Sequence, residues 1–170
     1  MLALDLGASL VRAAVVDVDG RLLSRSEGPT PLADGPDALL RACIDHLTAA
    51  RDATAAGTTA QAIGVAAPGP VDPWTGSLVE PPNLGPAFRG LPLAVELANA
   101  LDLPVALDRD TQVALLAETT LGAAQGLDDA VYLTVSTGIG GAVLSGGRLL
   151  VGPDGTARSE ERRVGKEGRL

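Results

Sequence analysis

A glycine-rich turn between two apolar segments is the feature that most restricts the fold of this chain. Residues 131–143 read Val-Tyr-Leu-Thr-Val-Ser-Thr-Gly-Ile-Gly-Gly-Ala-Val. Apolar residues of high β-propensity on both sides of so short a polar stretch predict two strands joined by a tight turn. Glycines let backbone N–H groups approach an anion closely, and hydroxyl groups add further donors. The segment therefore predicts a phosphate-binding hairpin whose contacts come from Ser136, Thr137, Gly138, Gly140 and Gly141.

A related pattern occurs at the amino terminus. Residues 2–17 contain a short apolar segment, the turn Asp5-Leu6-Gly7-Ala8-Ser9 and a second apolar segment. Two such turns in one chain predict a nucleotide held between two hairpins. Neither turn has the spacing of a dinucleotide-binding glycine motif or of a P-loop, which needs Gly-Lys-Ser/Thr. Each one alone also fits an ordinary hairpin, the first with an aspartate that stabilises the turn.

Composition limits the class of protein. The chain has 170 residues, 46% of them hydrophobic but only 2% aromatic, so we expect one sizeable domain with a core of Ala, Val and Leu. Its net charge of −8 argues against nucleic acid as a partner of this segment, because phosphate backbones are bound by Lys and Arg. The single cysteine, Cys43, excludes an internal disulfide and fits a core position. No signal peptide and no apolar stretch of membrane-spanning length occurs, which predicts a cytoplasmic protein that does not contact a membrane.

The periodicity of apolar residues predicts an α/β domain. Strands are expected over residues 2–6, 10–18, 21–25, 60–66, 104–107 and 148–151, besides the hairpin at 131–143, and helices over 36–54, 91–101 and 111–121. Residues 28–35 are predicted to form a loop, and residues 70–89 a long functional loop with one short strand at 77–80. Antiparallel hairpins before the first helix make a mixed sheet with flanking helices, unlike a dinucleotide-binding fold.

Asp110 is the candidate general base. It lies where a predicted strand meets a predicted helix, next to Arg109, and Asp108 makes the local field acidic. A carboxylate on a rigid element can accept a proton from a hydroxyl group. Asp110 could equally be an N-cap of the helix.

Five motifs together resemble the ROK family of repressors, open-reading-frame proteins and sugar kinases, whose fold is the actin-like ATPase (ribonuclease H-like) fold. They occur in the family's order over essentially residues 2–157, and the kinases closest to glucokinase are the best match. The motifs are Asp5-Leu6-Gly7-Ala8-Ser9, Gly64-Val65-Ala66-Ala67-Pro68-Gly69-Pro70-Val71-Asp72, Pro82-Asn83-Leu84, Asp108-Arg109-Asp110 and Ser136-Thr137-Gly138-Ile139-Gly140-Gly141.

The resemblance implies ATP-dependent phosphorylation of a hexose with Mg²⁺. Asp5 would orient the Mg²⁺ ion through water, and Asp110 would take the proton of the attacking hydroxyl. The sugar would be contacted by Asn83, by the Gly69 loop and by Arg109, the residue before the base. Phosphates would be bound by Gly7, Ala8 and Ser9 in the first turn and by Thr137, Gly138, Gly140 and Gly141 in the second.

Some residues depart from the family pattern. Arg109 stands where the family usually has an asparagine that touches the sugar, so substrate choice is left open, and Ala8 replaces a usual glycine. After Ala157 the family continues with Gly-Glu-x-Gly-His and a cysteine-rich zinc motif, neither of which is present. We therefore predict an amino-terminal domain at residues 1–157, truncated before the second domain and inactive alone, with exposed apolar surface. No zinc ligand is expected within this chain, although zinc would fit the full-length protein.

Residues 158–170 are predicted to be an unrelated tail of artefactual origin. They are rich in charge and contain the only lysine of the chain, Lys166, whereas the preceding residues use arginine alone. A genuine solvated tail is the alternative.

Two other functions share these motifs. A sugar-responsive ROK repressor would carry a winged helix-turn-helix before the first turn, but Met1 directly precedes Leu2. That observation, with Asp5, Asp110 and a complete second turn, favours a kinase over the repressor, and a non-catalytic sugar-binding module is a third possibility. The resemblance also implies that the full-length protein is a homo-oligomer.

Overall fold

The computed structural model describes residues 1–81, 83–135 and 139–151. Within these ranges the chain forms ten strands, three α-helices and two short 3₁₀ turns. The strands are β1 (Leu2–Leu6), β2 (Leu10–Val16), β3 (Leu22–Pro29), β4 (Ile63–Ala67), β5 (Val71–Asp72), β6 (Ser77–Leu78), β7 (Val105–Arg109), β8 (Ala130–Val135), β9 (Ile139–Ser145) and β10 (Arg148–Leu149). The helices are α1 (Pro36–Asp52), α2 (Leu93–Leu101) and α3 (Asp110–Leu121), and the 3₁₀ turns are Leu32–Asp34 and Pro86–Phe88.

The largest sheet has five strands in the order β3-β2-β1-β4-β7. Its first three strands form antiparallel hairpins, while β1, β4 and β7 run parallel to one another. The register places Asp5 of β1 opposite Ala66 of β4, and Ala66 opposite Asp108 of β7. This is the mixed sheet with amino-terminal hairpins that the sequence predicts.

Alternation along β1 explains which side of this sheet is the core. Leu2, Leu4 and Leu6 are buried, whereas Asp5 points to the opposite face, because successive strand residues face opposite sides. The leucines pack under α1, which begins with Pro36 at its first turn and buries Leu39, Cys43 and Leu47 at a four-residue spacing. The core position expected for Cys43 is confirmed.

A second sheet, in the order β10-β9-β8, packs on α3. Leu115 of α3 contacts Ala142 and Leu144 of β9 in a small separate core. The other side of β8 is open, and its apolar side chains are between 64% and 79% exposed at Val131, Leu133 and Val135. The chain thus exposes the apolar surface that the sequence analysis expects.

The early strands differ from their predicted bounds. β3 runs to Pro29, through the predicted loop, because it pairs with β2 along its whole length. Gly28 permits this extension, since a Cβ there would lie 2.7 Å from Nε2 of His46. β2 ends at Val16 because the carboxylate of Asp17 then accepts the N–H groups of Asp19 and Arg21 and turns the chain.

The predicted long loop contains more structure than expected. Besides β6, it forms β5, which pairs with β6 in a two-residue ladder. Strands this short in a segment rich in proline and glycine leave no periodic pattern to detect. None of the helices in the described ranges combines the length and the apolar character needed to cross a bilayer.

Candidate functional site

Three segments of the site follow three parallel strands. The first glycine turn follows β1, the Gly69 loop follows β4, and Asp110 follows β7. Since the carboxyl ends of parallel strands meet at one edge of a sheet, the two loops and the start of α3 lie side by side. The topology therefore brings together three of the predicted site segments that are far apart in sequence.

The first turn is held in place by a residue that sequence analysis missed. The Gly7 N–H donates to the carbonyl of Leu10 at 2.9 Å and closes the turn. Thr30 donates its hydroxyl to the Gly7 carbonyl at 2.7 Å and its N–H to the Ser9 carbonyl at 3.0 Å. Ala8 and Ser9 are exposed residues whose N–H groups have no partner among the described residues, so these groups are candidate donors to an anion. A threonine between two prolines was the available, but weak, signal for Thr30.

Asp5 lies on the sheet face opposite α1 and is paired with Arg12. Its Oδ2 is 2.8 Å from Nη1 of Arg12, whose Nε lies 3.7 Å from Glu27. Arg12 was missed, although the hairpin register that places it opposite Asp5 could have been counted across the turn.

The same aspartate is the candidate residue for Mg²⁺. No cluster of three acidic, histidine or cysteine side chains that could hold a metal occurs in the described ranges. A half-exposed carboxylate with one oxygen on Arg12 does fit an outer position around Mg²⁺, which keeps several waters and takes its other ligands from phosphates.

Asp110 is the first residue of α3 and is exposed at the edge of the sheet. The N-cap position belongs to Arg109, so the alternative role of Asp110 as N-cap is not what the structure has. The Asp110 carboxylate accepts the N–H of Thr111 at 2.7 Å, which fixes its orientation. An exposed carboxylate held at a helix start can accept a proton from a hydroxyl group.

Arg109 and Asp108 behave differently from their exposed neighbour. The Arg109 residue is only 3% exposed. Burial lowers the pKa of its guanidinium, and this effect outweighs the negative charges of Asp110 and Asp108, which raise that pKa. Burial raises the pKa of Asp108, although its carboxylate accepts the Arg109 N–H at 2.7 Å and feels the guanidinium charge.

The second hairpin reaches the site through Gly140. Gly140 lies opposite Thr134 in the β8–β9 ladder, and Gly141 lies opposite Leu133. A Cβ at Gly140 would be 3.3 Å from Cγ2 of Thr111, the neighbour of Asp110. A Cβ at Gly141 would be 2.9 Å from the Tyr132 carbonyl, so this glycine serves the ladder. Ser136, Thr137 and Gly138 lie outside the described residues, and their predicted phosphate contacts stay predictions.

Asn83 lies in an exposed turn of the long loop. The N–H groups of Leu84 and Gly85 both donate to the Pro81 carbonyl and close this turn. Asn83 itself makes no hydrogen bond with the described residues, so nothing in these ranges joins it to Asp110. Its sugar contact also stays a prediction.

A cavity of about 680 Å³ lies on the sheet face opposite α1. Small residues such as Ala3, Gly64 and Ala106 form its floor, and Asp5 and Asp108 reach it, whereas the glycine turns and Asp110 do not line it. Gln112 of α3 also lines it, and this residue is only 1% exposed. Neither amide atom of Gln112 has a hydrogen-bond partner among the described residues.

The model of the ROK family matches residues 1–159 of this chain. The chain belongs to the ROK family. The resemblance that the five sequence motifs indicated is thereby confirmed, and structures of ROK proteins confirm the actin-like ATPase fold.

Individual ROK proteins are similar over nearly all of the chain. N-acetylmannosamine kinase of Escherichia fergusonii is 37% identical over 159 residues, which are 92% of this chain and 51% of that protein. The ROK hexokinase of Thermus thermophilus has a TM-score of 0.81 and 40% identity, covering 93% of this chain and 51% of that one. A ROK glucokinase of Streptomyces griseus, solved with glucose and AMPPNP, has a TM-score of 0.79 and 31% identity, covering 93% and 48%. The chain thus spans about half the length of the curated relatives it matches.

Proposed function

We propose that the full-length ROK protein transfers the γ-phosphate of ATP to a hydroxyl group of a hexose or an N-acetylhexosamine. The observation that carries this proposal is the common edge of β1, β4 and β7, where a turn with two unpartnered N–H groups and the exposed carboxylate of Asp110 lie beside the Gly69 loop. The names of similar proteins, among them an N-acetylmannosamine kinase and a glucokinase solved with AMPPNP, support the substrate classes.

In this mechanism the sugar oxygen attacks the γ-phosphorus, and the bond to the bridging oxygen of ADP breaks. Asp110 takes the proton of the attacking hydroxyl, and the N–H groups of Ala8 and Ser9 would bind phosphate oxygens. Asp5 would hold Mg²⁺ through water, and the ion would supply charge neutralisation at the phosphates. The described residues supply one side of such a site, and closure of a second lobe would exclude water, so this chain alone is expected to be inactive.

The test is a coupled assay of ADP release on the full-length protein, with ATP and a panel of hexoses and N-acetylhexosamines. Asp110→Asn is expected to lower kcat by about 10²–10⁴-fold while leaving the dissociation constant of the sugar unchanged, because the amide binds but cannot accept the proton. Asp45→Asn, at an exposed position of α1, is the matched control and should have wild-type kcat.

Two results would contradict the proposal. Retained turnover in Asp110→Asn would remove Asp110 as the base. No turnover with any sugar, combined with DNA binding that depends on sugar, would identify a repressor instead. The homo-oligomeric state, the zinc site of the full-length protein and the cytoplasmic location remain predictions from the sequence.

A further inference from the structure

Arg109 is a buried arginine at the end of a strand. It ends β7, immediately before the exposed Asp110, yet it is only 3% exposed. Arginine is almost never fully buried unless its guanidinium has partners. Because so little of Arg109 is exposed, little of its surface is available for direct contact with a sugar. Its role is therefore sought in the residues that it packs against.

The first neighbour of Arg109 is Gly69. A Cβ at Gly69 would lie 2.8 Å from Cδ and Nε of Arg109 and 2.9 Å from Cγ. These atoms belong to the middle of the buried side chain, which cannot move aside as an exposed tip could. The β4–β7 register places Ala67 opposite Arg109, so the loop two residues later crosses directly over the arginine stem. A glycine is therefore required at position 69, because the Arg109 side chain already fills the space that a Cβ at this position would need.

The second neighbour is Thr111, on the other side of Asp110. Nη2 of Arg109 lies 3.4 Å from Oγ1 of Thr111, which is itself buried. The N–H of Thr111 holds the Asp110 carboxylate, and its methyl group faces the position of Gly140. A continuous packed link thus runs from the Gly69 loop through Arg109 and Thr111 to the second hairpin, with Asp110 attached to it.

We propose that Arg109 is a positioning residue for the kinase reaction, which holds the Gly69 loop and the start of α3 at a fixed separation so that Asp110 faces the acceptor hydroxyl. This inference rests on the proposed function of Asp110. It follows from the planar guanidinium, whose donors have fixed directions, and from the steep dependence of proton and phosphoryl transfer on geometry. A lysine has the charge but presents a single flexible ammonium group.

The experiment measures kcat and KM of the full-length protein for its best sugar in Arg109→Ala, Arg109→Lys and the control Arg41→Ala, an exposed arginine of α1. Arg109→Ala should lower kcat by about 10–100-fold with KM for the sugar within about threefold. Arg109→Lys should unfold at the urea midpoint of the wild type but should not restore kcat, because lysine keeps the stem and the charge and loses the bond to Thr111. Arg41→Ala should match the wild type.

Other outcomes would overturn the proposal. A rise in KM with unchanged kcat would make Arg109 a direct sugar contact, and recovery of kcat together with stability in Arg109→Lys would make its role merely structural. A second measurement is independent of activity: Gly69→Ala should lower the urea midpoint in the wild type but not in Arg109→Ala. Additive effects would refute the packing argument. This comparison of Gly69→Ala in two backgrounds measures stability and not catalysis. It therefore tests the packing of Arg109 even if Asp110→Asn keeps its turnover and the proposed role of Asp110 is wrong.

Discussion

Gly76 lies in the long loop and is hydrogen-bonded to helix α2. Its replacement by alanine should lower the free energy of unfolding by an amount that the structure lets us calculate. The Gly76 N–H donates to the carbonyl of Asp72 at 2.8 Å, and its own carbonyl accepts the N–H of Ala94 at 2.9 Å. The residue has a φ of +66°, and a Cβ there would lie only 2.3 Å from Cβ of Ala94. Gly76→Ala therefore destabilises the fold in two ways, through an unfavourable backbone conformation and through a steric clash with Ala94.

The expected cost combines two physical effects. A left-handed conformation costs an alanine about 1–2 kcal/mol relative to glycine. Overpacking a buried contact costs about 1–3 kcal/mol, and here the obstacle is a Cβ on a helix rather than a flexible tip. Gly76→Ala should thus lower the free energy of unfolding by about 2–5 kcal/mol, a large part of the about 5–15 kcal/mol typical of a domain.

Urea unfolding of the variants, followed by circular dichroism, measures this loss. Gly57→Ala is the matched control, because Gly57 has a φ of +92° but nothing within 4 Å of its Cβ position, so only the backbone effect applies. Ala94→Gly in the Gly76→Ala background removes the obstructing Cβ and should recover the steric part. If Gly76→Ala costs no more than Gly57→Ala, or if Ala94→Gly recovers nothing, the steric argument is wrong.

Two further predictions concern buried groups. Burial raises the pKa of the Cys43 thiol from 9.0 to about 12, so between these pH values the unfolded chain loses a proton that the folded chain keeps. The free energy of unfolding should therefore fall by about 1.4 kcal/mol per pH unit more steeply in the wild type than in Cys43→Ala, and parallel pH profiles would contradict this. Gln112→Met removes two buried amide atoms that lack partners in the described ranges and should stabilise the chain by about 1–3 kcal/mol in urea unfolding, whereas a loss of stability would show that the amide is paired in solution.

Much of the fold could be predicted because its signals are local. The leucines of β1 alternate with residues of the other face, and the apolar residues of α1 recur at helical spacing, so the period alone assigns each element. Glycine turns between apolar segments likewise located the hairpins. Element ends were less predictable, since β3 continues through Gly28 only because β2 is beside it.

The candidate site was predicted as a set of motifs, but not as a set of contacts. Asp110 and the first turn were identified as candidates from residue types at a strand–helix junction and between two apolar segments, and the family resemblance then added their expected roles. Thr30, which anchors that turn, and Arg12, which pairs with Asp5, carry no comparable signal. Their roles depend on hydrogen bonds between residues 7 to 23 positions apart.

The sequence by itself determined the strands, the helices, the apolar core and the residue types at the site, because short-range sterics and periodicity act within a few residues. Only the tertiary structure decided that Arg109 is buried under Gly69 and linked through Thr111 to the second hairpin. That arrangement depends on the parallel pairing of β4 with β7, two strands between which the chain forms β5, β6 and α2. Such pairing is selected by the free energy of the whole packed domain, and no local pattern specifies it.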